Sequence, residues 1–138
     1  MKIKIVTAAL LIICGAGIGW LAFENLMWAV WGKHNAWFEY VGFYGCPMMI
    51  VSGLIVVKSL RVGSILGLIG FLLMLFYLGP ALVNTAHEIV VGHLIMNPQK
   101  LAALILIVVF PLLTLSILTL NIARILSHKK AQERQKYV

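Results

Sequence analysis

Residues 41–83 read VGFYGCPMMIVSGLIVVKSLRVGSILGLIGFLLMLFYLGPALV. They form two apolar runs, broken only by Lys58 and Arg61 with Ser59 and Leu60 between them. A helix needs about 20 apolar residues to cross a bilayer. The two runs, about 41–57 and about 62–83, are each close to that length. A break this short allows only a tight hairpin, so the stretch predicts two antiparallel membrane-spanning helices joined at one membrane face. Pro80, near the far end of the second run, is expected to kink it by removing a backbone hydrogen bond.

Two more runs flank this hairpin. The first extends from Ile5 to about Trp31, behind Lys2 and Lys4. Cations before an apolar stretch resemble a secretory signal, and Leu11-Ile12-Ile13-Cys14-Gly15 resembles a lipoprotein cleavage box. The residue before such a cysteine should be small, and Ile13 is not; the run also outlasts a signal core. It is read as a retained first span. The last run covers about 101–122 and contains Pro111, and a basic tail, 123–138, follows it. Two connectors remain, Lys33 to Tyr40 and Asn84 to Gln99, the second semi-polar and able to form a short interfacial helix.

Composition leads to the same reading. The 138 residues are 62% hydrophobic and 11% charged, with a mean hydropathy of +1.03. Soluble domains are nearer 45–50% apolar and about 25% charged, and a chain this small has too little interior to hide the excess. Lipid must solvate much of the surface. The net charge of +7 would suggest nucleic acid in a soluble protein. Here the cations flank apolar runs, so they are read as topology signals and lipid contacts, and nucleic acid is excluded as a partner. Lys129, Lys130, Arg134 and Lys136 of the tail are the expected lipid-contacting residues.

Charge also predicts orientation. Lys2, Lys4, Lys58, Arg61, Arg124, Lys129, Lys130, Arg134 and Lys136 would lie on one side, and only Lys33 and Lys100 on the other. By the positive-inside rule both termini are cytoplasmic. The expected fold is an all-α membrane protein, an antiparallel four-helix transmembrane bundle with up-down connectivity, forming a single domain over 1–138. The expected location is the cytoplasmic (inner or plasma) membrane of a prokaryote. Trp20, Trp28, Trp31 and Trp37 all fall toward the outer side, as an interfacial aromatic belt requires. Gly15 and Gly19, and Gly63 and Gly67, have the four-residue spacing that lets membrane helices approach closely; packing within the bundle is the expected use, ahead of a dimer interface.

The chemistry-bearing residues are distributed unevenly. Apart from His128 and Glu133 in the tail, every acid and histidine falls on the outer side: Glu24, His34, Glu39, His87, Glu88 and His93. The cytoplasmic half reads as cations and apolar residues only, so any site is expected to open outward. Glu24 interrupts an apolar helix, where an ionisable group is costly and marks a functional position, although a long helix would also place it at headgroup level. Glu24, His34, His87, Glu88 and His93 form the candidate polar site. His87 and His93 are six apart, about 120° around a helix, so they cannot chelate from one face. A turn near Gly92 would be needed to bring them together as zinc or iron ligands with Glu88 and Glu24.

Cys46-Pro47-Met48-Met49 adds soft sulfur that suits Cu(I), with Cys46 and Met49 as candidate ligands, and is similar over two residues to the Cys-Pro of copper-translocating pumps. Methionine is more commonly core filler, and the proline suits the opening of a helix. Aromatic residues in the same layer would suit a quinone or a lipid headgroup, or simply form the belt; haem is a further candidate cofactor. Cys14 and Cys46 are expected at different depths, as free thiols. No phosphate-binding loop or nucleophile elbow occurs, and Gly15-Ala16-Gly17-Ile18-Gly19 lies inside a span. Three classes remain: a non-catalytic subunit or accessory component that binds other membrane proteins or its own copies, a redox or metal-binding protein, and a small proton-coupled transporter using Glu24.

Overall fold

The computed structural model describes residues 1–32, 37–92 and 98–138, with side chains at all of these except 24–32, 37–39, 84–85, 89 and 100. The described chain is helical almost throughout. Helix α1 is Lys2–Gly32, α2 is Trp37–Lys58 and α3 is Leu60–Val91. The fourth span begins as α4 (Pro98–Leu104), passes through a π-helical turn (Ile105–Val109) and continues as α5 (Phe110–Lys136). Four of these helical stretches are long and apolar enough to cross a membrane.

The inward stripes follow the spacing of a bundle rather than a contrast of hydropathy. In α1 the buried positions are Thr7, Ala8, Leu11, Cys14, Gly15, Ile18 and Ala22. In the fourth span they are Pro111, Thr114, Leu118 and Asn121. Steps of three and four residues are those of left-handed helix packing. What marks the inward face is its contact residues: Gly15, Gly45, Gly63, Gly67, Gly70, Cys14, Cys46, Ser52 and Ser64 turn in, while leucine, isoleucine and valine face out as readily as in.

Backbone contacts at glycine define the topology. A Cβ on Gly15 would stand 2.7 Å from the Cys46 carbonyl oxygen, and one on Gly53 would stand 3.0 Å from that of Ala8. Hence α1 and α2 are antiparallel. Gly45 meets Gly70 and Met74, Gly42 meets Tyr77, and Gly63 meets Val56, so α2 and α3 are antiparallel as well. Gly17 packs on Leu106 of the π turn, while Asn121 reaches both Thr7 and Ser64. The fourth span therefore runs against α1 and α3. The result is an up-down-up-down bundle in which both chain termini and the α2–α3 turn share one end. Lys4 Nζ donates to the Lys58 carbonyl at that end (3.5 Å), which is called the basic end below. The Gly15/Gly19 and Gly63/Gly67 pairs serve packing inside the bundle, as their spacing suggested: Gly15 and Gly19 face Cys46, and Gly67 faces Leu11.

Several boundaries differ from expectation. Helix α2 begins at Trp37, inside the expected connector, and Pro47 lies within it rather than opening it. Its ring faces outward, where the backbone bond it lacks is lost without crowding a neighbour. Helix α3 runs through Pro80 to Val91 and does not end near Val83. Gly92, with φ +73°, then ends it in the left-handed conformation that glycine adopts without strain. The tail is helical to Lys136. The π turn ahead of Pro111 is the local answer to proline: Phe110 N–H bonds to Ile105 O, five residues back, which makes room for a ring that cannot donate.

Candidate functional site

Among the described residues, the polar side chains that the bundle brings together across helices are at its basic end. Asn121 Nδ2 donates to Thr7 Oγ1 (3.0 Å) and to Ser64 Oγ (3.4 Å), joining α1, α3 and α5 in one layer. All three side chains are fully buried. Thr7 Oγ1 in turn donates to the Ile3 carbonyl (2.7 Å), one turn back on its own helix. Asn121 Oδ1 is buried and has no hydrogen-bond partner among the described residues. This layer corrects the expectation that the cytoplasmic half holds only cations and apolar residues.

Sequence position explains the convergence. Thr7 stands three residues inside Lys4, Ser64 three inside Arg61, and Asn121 three inside Arg124. Each therefore lies at one depth below a ring of cations. That common offset was the available signal, and reading Thr7, Ser64 and Asn121 one at a time hides it.

Other buried hydroxyl and thiol groups bond along their own helices. Ser52 Oγ donates to Met49 O (2.7 Å), Thr114 Oγ1 to Phe110 O (2.7 Å), and Cys46 Sγ to Gly42 O (3.7 Å). Cys14 lies within hydrogen-bonding reach of Thr114, a second link between α1 and α5. Cys14 and Cys46 are free thiols at neighbouring levels, since Gly15 abuts the Cys46 carbonyl. This corrects the expected difference in depth: α2 begins early, which lowers Cys46 toward the middle of the bundle. Cys46 and Met49 point inward with Cys14 and Met74, and together they form a sulfur-rich core layer.

Of the outer candidates, His87 and Glu88 are successive, exposed residues of α3. Successive residues point about 100° apart on a helix. Glu24 lies on α1, but its side chain is outside the described set, and His34 and His93 lie outside the described residues. Among the described residues no group of three His, Cys, Asp or Glu side chains is placed to hold a metal ion. Phe23 and Phe43 lie 6.5 Å apart between ring centres, and Phe43 meets Tyr44 edge-on at 6.2 Å. These contacts place a small aromatic cluster toward the end opposite the basic one, between α1 and α2. An apolar groove of about 210 Å³ runs between α3 and the fourth span, beside the π turn, lined by Phe71, Leu78, Ile107, Pro111 and Leu115 among others.

Comparison with family models gives no match to this chain. Nor does any curated protein or solved structure match it. The class defined here is thus the architectural one, an all-helical bundle with four helices able to span a membrane.

Proposed function

We propose that the chain is a multi-pass protein of a prokaryotic cytoplasmic membrane, both termini inside, acting as a non-catalytic subunit or accessory component that binds other membrane helices. The observation that carries this reading is the uneven burial of the four spans. In the most apolar stretch of the fourth span only 17% of residues are buried, against 33–39% in the other three. Helices α1, α2 and α3 close on one another through glycines, whereas the fourth span touches α1 and α3 along one stripe and leaves Leu112, Leu113 and Leu120 outward. A helix needs few contacts to stay in lipid, but association with a partner uses a free face, small residues and hydroxyls. Ser116 and Thr119 lie exposed on this helix.

The test is photo-cross-linking in native membranes, with the reactive side chain at Leu113 or, as control, at Leu54 of α2, both exposed. The reading expects a discrete protein adduct from Leu113 and lipid adducts alone from Leu54; a second copy of the chain would register as a doubled mass. Lipid adducts alone at both positions would overturn it.

One observation favours a second reading. The layer of Cys14, Cys46, Met49 and Met74 supplies the thiolate and thioether chemistry that suits Cu(I). Copper retained by the purified protein after dialysis, and lost in Cys46→Ser, would support this reading. Protein free of copper after growth in copper would dismiss it.

A further inference from the structure

We propose that the layer of Thr7, Ser64 and Asn121 is a binding site for one water molecule, held at Asn121 Oδ1 and reached from the basic end. The amide gives both its protons inward, to Thr7 and to Ser64, and leaves its carbonyl oxygen buried without a donor. A buried acceptor left unpaired costs about 1–3 kcal/mol, and the surrounding lipid offers nothing to bond it. The occupant must therefore be a donor.

Chemistry narrows the donor to water. An anion has no proton for Oδ1. A cation would sit among Lys4, Arg61 and Arg124, each three residues outside a member of the layer, with no acid among them to offset the charge. A larger neutral donor has no way in, because Thr7, Ser64 and Asn121 are fully buried; on the inner side Leu11 Cδ2 and Ser52 Oγ stand 3.0 Å and 3.3 Å from a Cβ built on Gly67. A buried water needs two to four polar partners, and they are present. Ser64 enters its hydrogen bond with Asn121 as acceptor, so its own hydroxyl proton is available to a water oxygen. Thr7 Oγ1 keeps a second lone pair after accepting from Asn121. A water that donates to Oδ1 and accepts from Ser64 completes the layer. It lies one helical turn inside the ring of cations, close enough to the membrane surface to exchange with solvent.

The measurement is water-edited solid-state NMR on the full chain in lipid bilayers, following magnetisation passed from water to the Asn121 side-chain amide. Transfer should reach Asn121 several-fold sooner than the Met49 methyl group, which is equally buried but surrounded by apolar groups and sulfur. In Ser64→Ala, which removes the bridging hydroxyl and keeps the small side chain, transfer to Asn121 should fall several-fold while the backbone spectrum stays in place. Transfer to Asn121 as slow as to Met49 would overturn the proposal. So would transfer unchanged in Ser64→Ala, or a direct contact between the Asn121 carbonyl and the Lys4 or Arg124 head.

Discussion

If Asn121 holds the fourth span to the rest of the bundle, its hydrogen bond to Thr7 should be measurable as a coupling energy. Thr7→Val keeps the branched shape and removes the acceptor, and Asn121→Leu keeps much of the volume and removes the donor. Neither single change is clean. Thr7→Val also deletes the bond to Ile3 O, and Asn121→Leu also deletes the bond to Ser64 and the acceptor Oδ1. The double-mutant cycle cancels these side effects and leaves the pair. Hydrogen bonds between membrane helices average about 0.6 kcal/mol and reach about 1.7. At 3.0 Å, the shorter of the two bonds made by Asn121, the Thr7 contact should fall in that range. That is roughly a three- to sixteen-fold change in the unfolding constant. The assay is reversible unfolding in mixed micelles of dodecyl maltoside and SDS, followed by circular dichroism for all four proteins of the cycle. A coupling within about 0.3 kcal/mol of zero, the scatter expected of independent sites, would refute the idea that this bond docks the fourth span.

Further predictions follow from the packing. Gly45→Ala places a methyl group 2.5 Å from the Gly70 oxygen and the Met74 nitrogen, both backbone atoms that cannot yield, and should destabilise by about 1–3 kcal/mol in the same assay. Gly79→Ala meets no neighbouring helix within 4 Å, and with Pro80 next in the chain offsetting the gain in helix propensity it should change stability by less than about 1 kcal/mol; equal effects at the two positions would contradict the α2–α3 interface. Cys14 and Cys46 are buried to within 1%, so a maleimide should label neither in mild detergent and both in SDS, as read by intact mass. Replacing Lys129, Lys130, Arg134 and Lys136 by glutamine removes about 1 kcal/mol of attraction to anionic lipid per cation near the surface. Native mass spectrometry should then find fewer anionic lipids retained.

Much of the fold can be read from the sequence because crossing a bilayer demands a set length of apolar helix. Four apolar runs, separated by short polar stretches, leave few arrangements other than an up-down bundle, and Lys58-Ser59-Leu60-Arg61 by itself determines the central hairpin. The ends of the helices are less legible. Nothing in the sequence stops α3 at Val83, because Ala86, Ile89, Val90 and Val91 remain compatible with helix until Gly92 ends it. Pro47 and Pro80 read as punctuation, but in a membrane helix the missing bond is tolerated when the ring faces outward, as both rings do. The polar layer was the least legible of all. Residues 7, 64 and 121 are isolated polar positions in apolar helices, and only a fold that sets three helix ends side by side gives them a common neighbour. The ionisable residues toward the other end are chemically more conspicuous. Of these, His87 and Glu88 lie exposed, and the remainder fall outside the described side chains.

In the proposed topology four spans alternate across the membrane and leave the basic end in the cytoplasm. Fusions ended after residues 34, 59, 95 and 138, each made with alkaline phosphatase and with green fluorescent protein, test it most directly. Phosphatase activity is expected after 34 and 95, and fluorescence after 59 and 138. Phosphatase activity after 138, or fluorescence after 34, would contradict it.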